Sequence, residues 1–300
     1  MPGRTADNVY AVGALVERAD AVALIIDADR ARAEGAEAAA LATSVVDRAR
    51  PGSIAFAFAT AREQARRARG MLGADVREAL DATRARMPRK VVPERLHEFL
   101  TWTRERAALV TGIVEASAAR DNTYHLFTLG RASTRALVTV STLAERAPTA
   151  IDQGDAAALL RACGALEIFR ARSAAEPSLA DVEHLLLADA GVPHGLPYAL
   201  AAIDRAVAAI HDHGSDAAWC PRPATIPDDP AARIPSPMTL DALPAIRDAV
   251  AARVDAAAAA AGVAPAASAI AAPDGARSPQ DRGVDRTLSS VWPVAVPRSR

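Results

Sequence analysis

The chain has 300 residues, of which 51% are hydrophobic and only 4% aromatic, and alanine is by far the commonest of the hydrophobic residues. This composition favours closely packed helices over a sheet built from β-branched and aromatic side chains. Lys and Arg together number 35 and Asp and Glu 36, so the net charge provides no general attraction to nucleic acid or to an anionic membrane surface.

The cysteines and the apolar segments indicate where such a chain resides. Cys163 and Cys220 lie far apart and have no second ligand at metal-binding spacing, which argues against a zinc site and a disulfide framework. Charged residues interrupt both the first twenty positions and the alanine-rich stretch 250–272, so neither a secretory signal nor a membrane span is expected. We therefore expect a soluble cytoplasmic protein.

Apolar residues recur at helical spacing along most of the chain and predict an all-α fold, a multi-helix bundle of about eight to ten helices. Thr5 or Asp7 is the expected N-cap of the first helix, Ser53 that of the third and Asp121 that of the sixth. The predicted helices cover residues 6–32, 36–48, 53–69, 76–86, a segment after Pro93, 121–145, 155–172, 179–188, 197–211 and 240–261.

Shifts in composition divide the chain into four parts. Residues 1–213 are predicted to form the helical core, and 214–238 a proline-rich irregular connection. Residues 239–262 are expected to add one more helix that packs on the core. Residues 263–300 contain few large apolar groups and are predicted to be a largely disordered tail, in which Trp292 is the exception that could dock.

Four segments carry recurring polar motifs, at residues 6–20, 61–67, 102–135 and 185–198. In order and spacing they resemble the alpha-E family, a bacterial all-helical family named for a recurring Glu-Arg pair. That family is similar in arrangement to a helical domain that accompanies atypical ATP-grasp ligases and transglutaminase-like proteins. The resemblance implies a role in a peptide-modifying or amide-forming system, with an ATP-grasp-type ligase, another alpha-E or transglutaminase-like protein, or a peptide substrate as partner.

The chain departs from the family's pattern at three positions. Ala14 stands where an arginine usually follows the glycine, Thr134 stands where the second motif usually has glutamate, and His194 replaces an arginine expected after the proline. These differences suggest a divergent member and leave open whether function is lost or altered.

The first and third motifs resemble an internal repeat, because Gly13 precedes Glu17 by four positions just as Gly130 precedes Thr134. A glycine permits a close helix contact beside Glu17, whose carboxylate then needs a buried partner, and Arg131 or Arg135 is the natural one. Such a pair can hold two helices together or contribute to a ligand site. The candidate binding residues of this region are Tyr10, Glu17, Arg18, Arg131 and Arg135.

A second candidate is the basic cluster of residues 62–69, where Arg62 and Arg66 share one helix face. Guanidinium groups there can bind a phosphate, a carboxylate or an acidic partner. The alternative is a solvated face on which Glu63 pairs with Arg67. Nucleic acid is not expected, because no aromatic residue is interleaved with these arginines.

Catalytic signals are weak throughout. Glu94 and His97 match the Glu-x-x-His pattern of di-metal bundles once, and Asp181 with His184 matches only in a variant form. The chain has no nucleophile elbow and no phosphate-binding glycine loop. We therefore predict a non-catalytic helical accessory or binding subunit without a cofactor or a metal of its own. The alternatives are a peptide-modifying enzyme with a polar site between the repeated helices, and a di-metal bundle.

Overall fold

A computed structural model describes residues 3–153, 155–212 and 233–264. Within these ranges the chain forms eleven α-helices and no strand, which confirms the all-α prediction. The helices are α1 (Gly3–Arg30), α2 (Gly35–Ser44), α3 (Ile54–Arg67), α4 (Ala74–Arg86), α5 (Leu96–Ser117), α6 (Asn122–Gln153), α7 (Ala156–Ala162), α8 (Leu166–Arg172), α9 (Leu179–Glu183), α10 (Leu196–Asp212) and α11 (Leu243–Ala260). The predictions for Cys220, Trp292 and the tail after residue 264 fall outside the described residues.

The two long helices α1 and α6 form the centre of the bundle and run in the same direction. Their contacts advance along both helices in step, from Gly13 with Phe127, through Glu17 with Arg131, to Asp29 with Arg146. Gly13 and Gly130 lie 117 positions apart, and Asp29 and Arg146 are separated by the same interval. The repeat seen in the sequence thus corresponds to a pair of equivalent, parallel helices.

Each central helix has its own pair of flanking helices. Helices α3 and α5 pack on α1, whereas α10 and α11 pack on α6. The buried interior is continuous across both groups and contains Leu15, Phe58 and Leu100 from the first group with Phe127 and Ile203 from the second. The polar residues of the central pair therefore lie at the interface between two similar halves.

The helix caps agree with the sequence in two cases out of three. Ser53 accepts a hydrogen bond from the backbone of Phe56 at 2.9 Å, and Asp121 accepts one from Thr123 at 2.9 Å. The expected cap of α1 is wrong, because this helix already begins at Gly3. Asp7 instead accepts a hydrogen bond from the backbone of Ala264 at 2.8 Å, which ties the end of the described chain to α1.

Two predicted helix boundaries are also wrong. Residues 155–172 form α7 and α8 instead of one helix, because Gly164 adopts a left-handed conformation with φ of +73° and turns the chain. This break accounts for eleven helices where at most ten were predicted. Helix α6 continues through Pro148 to Gln153, since proline at this position removes one hydrogen bond while Ala147 and Ala150 remain buried.

Candidate functional site

Glu17 is the centre of a buried charged cluster between α1 and α6. Only 4% of this residue is exposed. Arg135 donates from Nε to Glu17 Oε1 at 2.6 Å, and Arg131 donates from Nε to Oε2 at 3.3 Å. The prediction of an arginine partner is confirmed, and the carboxylate uses both candidates at once.

The close approach of the two helices follows from the glycines. A Cβ on Gly13 would lie 2.1 Å from the carbonyl oxygen of Phe127, well inside any contact distance. Because Glu17 lies one turn beyond Gly13 on the same helix face, its side chain projects at α6. Arg131 directly follows the equivalent glycine, Gly130, and Arg135 lies one turn further along α6. Both side chains therefore reach the carboxylate of Glu17.

The loop before α10 closes this cluster on one side. Arg135 donates from Nη1 to the carbonyl oxygen of Pro193 at 2.9 Å, and the Thr139 hydroxyl donates to that of His194 at 3.3 Å. One guanidinium therefore joins α1, α6 and the loop. His194 lines the same small cavity as Glu17.

Sequence reasoning missed two charged members of the cluster. Asp20 lies one turn after Glu17, and its carboxylate is 3.5 Å from the Nε of Arg104 on α5. Both residues occur within the recognised motifs, but periodicity alone does not show that α5 approaches α1 at this point. The signal that was available is the spacing of Glu17 and Asp20, which places both on one helix face.

The pKa values of this cluster diverge. Burial tends to raise the pKa of Glu17, but Arg135 and Arg131 outweigh burial and hold it below its ordinary value. Burial and the charge of Glu17 raise the pKa of Asp20 to about 6, although Arg104 opposes them. Burial and the charge of Arg135 lower the pKa of His194 to about 4, so the imidazole is neutral at pH 7.

A small cavity adjoins these groups. Its volume is about 20 Å³, and its lining includes Asp20, Thr142, Cys163 and His194. A space of this size holds about one water molecule. Cys163 is buried, and burial raises the pKa of its thiol to about 12, so the residue remains a neutral thiol at physiological pH.

Tyr10 and Arg18, the other two candidate residues of α1, are buried in the core. Burial raises the pKa of Tyr10 to about 12, with the Ser133 side chain acting in the opposite direction. Burial also lowers the pKa of Arg18 to about 10. The structure therefore gives Tyr10 a place in the core between α1 and α6, and keeps Arg18 charged at neutral pH.

The basic residues of α3 lie apart from the Glu17 cluster. Arg62 forms a close ion pair with Asp81 on α4. Arg67 pairs with Glu63 at 3.1 Å, which is the contact expected of a solvated face. Arg66 is exposed at the end of the helix and available to a partner.

Two of the candidate metal ligands, His97 and Asp181, have other contacts. His97 Nδ1 lies 3.1 Å from a carboxylate oxygen of Asp27, and Asp181 closes a capping box with Ser178 at the start of α9. In the described part of the chain no group of three or more His, Cys, Asp or Glu residues is placed to hold a metal ion.

A second buried ion pair joins α1 and α6 and was not predicted. Arg146 binds Asp29 through two hydrogen bonds of 2.6 and 3.0 Å, and both side chains are mostly buried. Such a two-point contact fixes geometry as well as charge. Two ion pairs, at Glu17 and at Asp29, thus set the relative position of the two central helices.

A comparison with known protein families finds a family model that matches most of this chain. The family model for Alpha-E, described as "A predicted alpha-helical domain with a conserved ER motif", matches residues 27–260. The chain belongs to the Alpha-E family. The match extends through α11 but begins after Glu17 and Arg18, so the first motif lies outside it. Within the matched range Glu-Arg occurs at residues 94–95, 105–106 and 145–146.

No curated protein and no solved structure matches this Alpha-E chain. Among the described helices, none is long and apolar enough to cross a membrane.

Proposed function

We propose that this Alpha-E protein is a non-catalytic helical subunit that binds an ATP-grasp-type ligase or its peptide substrate within a peptide-modifying system. The observation that carries the proposal is the pairing of Glu17 with Arg131 and Arg135. These side chains bind one another, and the cavity beside them holds about one water molecule. A peptide cannot enter such a space, so recognition is assigned to the surface.

The exposed arginines at the end of α3 are the first candidate for that surface. Arg66 is exposed and no ion pair involving it occurs in the described residues, whereas Arg62 and Arg67 already have acidic partners. Arginine forms forked hydrogen bonds with carboxylates and supports association with acidic surfaces. A partner with an acidic patch is therefore favoured over a nucleic acid.

Affinity purification from the cells that naturally produce the protein tests this role. A tagged full-length chain is recovered at low and at high salt, and bound proteins are identified by mass spectrometry. We expect a ligase or transglutaminase-like protein at low salt and a reduced yield with Arg66→Glu. Arg170→Glu is the matched control, because Arg170 is also exposed but pairs locally with Glu167. Elution of the chain alone at every salt concentration contradicts the proposal.

A peptide-modifying enzyme is the second candidate, and Asp20 is the observation that favours it. A carboxyl group with a pKa of about 6 beside a cavity is suited to accept or donate a proton near neutral pH. Glu17, Arg131 and Arg135 would then position the reacting groups. If a candidate activity is found, Asp20→Asn must abolish it while the protein stays folded; retention of activity eliminates this role.

A further inference from the structure

The charges of the Glu17 cluster do not balance. Arg104, Arg131 and Arg135 contribute three positive charges, whereas Glu17 and Asp20 contribute at most two negative charges. These are the charged groups that act on Asp20. An excess of one positive charge in a partly buried site attracts an anion, because screening by solvent is weaker there than at an open surface.

The two more exposed arginines of the cluster have unused donors. Arg135 is engaged by both Glu17 and the carbonyl of Pro193. By contrast, the side chain of Arg104 is 50% exposed and lies 3.5 Å from Asp20, and that of Arg131 is 20% exposed and uses only Nε to reach Glu17. Among the described residues, no hydrogen bond uses the terminal nitrogens of Arg104 or Arg131. These nitrogens are free to donate to a ligand.

The same three arginines also act on His194 in the loop before α10. Burial is the largest cause that lowers the pKa of the His194 imidazole, and the charge of Arg135 is the next largest. Arg104 and Arg131 also lower this pKa, whereas Glu17 raises it. The arginine charges thus add to the effect of burial in keeping this imidazole neutral. The imidazole of His194 is therefore neutral at pH 7 and adds no further positive charge to the cluster.

We infer that Arg104 and Arg131 together bind one carboxylate at the mouth of the Glu17 cluster. A carboxylate has a single negative charge, which completes the charge balance, and its two oxygens suit the planar donors of guanidinium. Phosphate shares the donor chemistry, but its charge at neutral pH exceeds the excess. The site deepens the proposed function, since the carboxylate would belong to the C-terminus or an acidic side chain of a bound peptide.

Acetate and acetamide form a matched pair of probes, because they have nearly the same shape and differ in charge. The full-length protein, labelled with ¹⁵N, is titrated with each compound at pH 7.5 and constant ionic strength, and the arginine Nε–H resonances are followed. We expect saturable shifts with acetate and none with acetamide. Arg104→Gln should weaken acetate binding about tenfold or more, the usual effect of losing a charge-assisted hydrogen bond.

Arg131→Gln should weaken acetate binding by a similar factor, and Arg104→Gln keeps the test decisive if Arg131→Gln does not fold, since Arg104 does not contact Glu17. Arg170→Gln is the surface control and should bind acetate as the native protein does. Three results would each overturn the proposed carboxylate site: equal shifts with acetamide, unchanged acetate affinity in Arg104→Gln, or tighter binding of inorganic phosphate than of acetate. Acetate binding needs no partner protein, so its failure is distinct from a failure to recover a ligase.

Discussion

Gly13 and Gly130 contact equivalent parts of each other's helices. A Cβ on Gly13 would lie 2.1 Å from the carbonyl oxygen of Phe127, and a Cβ on Gly130 would lie 2.1 Å from that of Tyr10. Phe127 and Tyr10 each precede the glycine of their own helix by three positions. The crossing of α1 and α6 is therefore reciprocal, and each glycine is required by the backbone of the other helix.

Alanine at either glycine should destabilise the protein. The obstacle to Gly13→Ala or Gly130→Ala is backbone and cannot rotate away, so the helices must separate. We expect a loss of about 3 kcal/mol or more in the free energy of unfolding, measured by urea denaturation. Gly112→Ala is the matched control, because this exposed glycine of α5 has open space around it. It should stabilise the protein by about 0.5–1 kcal/mol, and equal losses at all three positions would refute the close crossing.

Removing the Glu17 charge should also destabilise the fold. Glu17→Gln retains the shape of the side chain but leaves Arg131 and Arg135 facing each other without a carboxylate. We expect the free energy of unfolding at pH 7 to fall by about 3–5 kcal/mol, as for other broken buried pairs. Glu63→Gln removes the exposed pair with Arg67 and should cost less than about 0.5 kcal/mol. A small effect of Glu17→Gln would mean that the cluster does not stabilise the interface.

The sequence predicted the Glu17 pair because its signals are local. The spacing of Gly13 and Glu17, repeated at Gly130 and Thr134, indicates which faces meet without any knowledge of the remaining helices. Two other contacts, of Asp20 with Arg104 and of Arg135 with Pro193, are different. They depend on where α5 and the loop before α10 lie. Such contacts between distant segments are determined by tertiary packing, which helical periodicity does not encode.

Asp20 should make stability decrease as the pH rises. Its pKa of about 6 in the folded state lies above the ordinary value of 3.8, so the folded state favours the protonated carboxyl group. Ionisation of Asp20 therefore lowers the free energy of unfolding as the pH rises from about 4 to about 6. Asp20→Asn removes this cost. The variant should be more stable than the native protein by up to about 3 kcal/mol at pH 8, and the difference should shrink below pH 6. Urea denaturation at pH 8 and pH 4.5 measures both; an equal difference at the two pH values contradicts the elevated pKa.

His194 should produce the opposite dependence. Its folded pKa of about 4 lies below the ordinary value of 6.5, so the folded state favours the neutral imidazole. The stability that this preference contributes is present above pH 6.5 and is lost as the pH falls toward 4. His194→Gln should flatten the acid side of the stability profile between pH 6.5 and pH 4.5. An unchanged slope in that interval would show that the imidazole is accessible to solvent protons in the folded protein.

The helix count illustrates the second limit of sequence reasoning. Patterns of apolar residues predicted every long helix, because an amphipathic face must be buried. The break at Gly164 was not predicted, although the glycine is visible in the sequence. A Cβ there would lie 2.9 Å from Leu24 and 3.1 Å from His194, so the turn is required by tertiary neighbours as well as by its positive φ.

Thr134 occupies the position at which the repeat predicts a second carboxylate. The interval that relates Gly13 to Gly130 also relates Glu17 to Thr134 and Arg18 to Arg135, so the counterpart of the Glu17–Arg135 pair is Thr134 with Arg18. Thr134 is fully buried, and its hydroxyl has no hydrogen-bond partner within the described ranges. From the repeat alone, we expect a glutamate at position 134 to lie beside Arg18.

A double-mutant cycle tests that equivalence. Thr134→Glu adds volume at a fully buried position and should by itself destabilise the protein. Combined with Arg18→Gln it should cost more than the sum of the two single changes, because the new carboxylate then lacks its guanidinium partner. Their coupling energy should be about 1 kcal/mol or more in favour of the charged pair, measured from urea denaturation of all four proteins. Thr134→Gln controls for size. A coupling energy near zero would mean that the two helices are equivalent in backbone position but not in the placement of their charges. Thr134 would then reflect a changed interface instead of a missing ion pair.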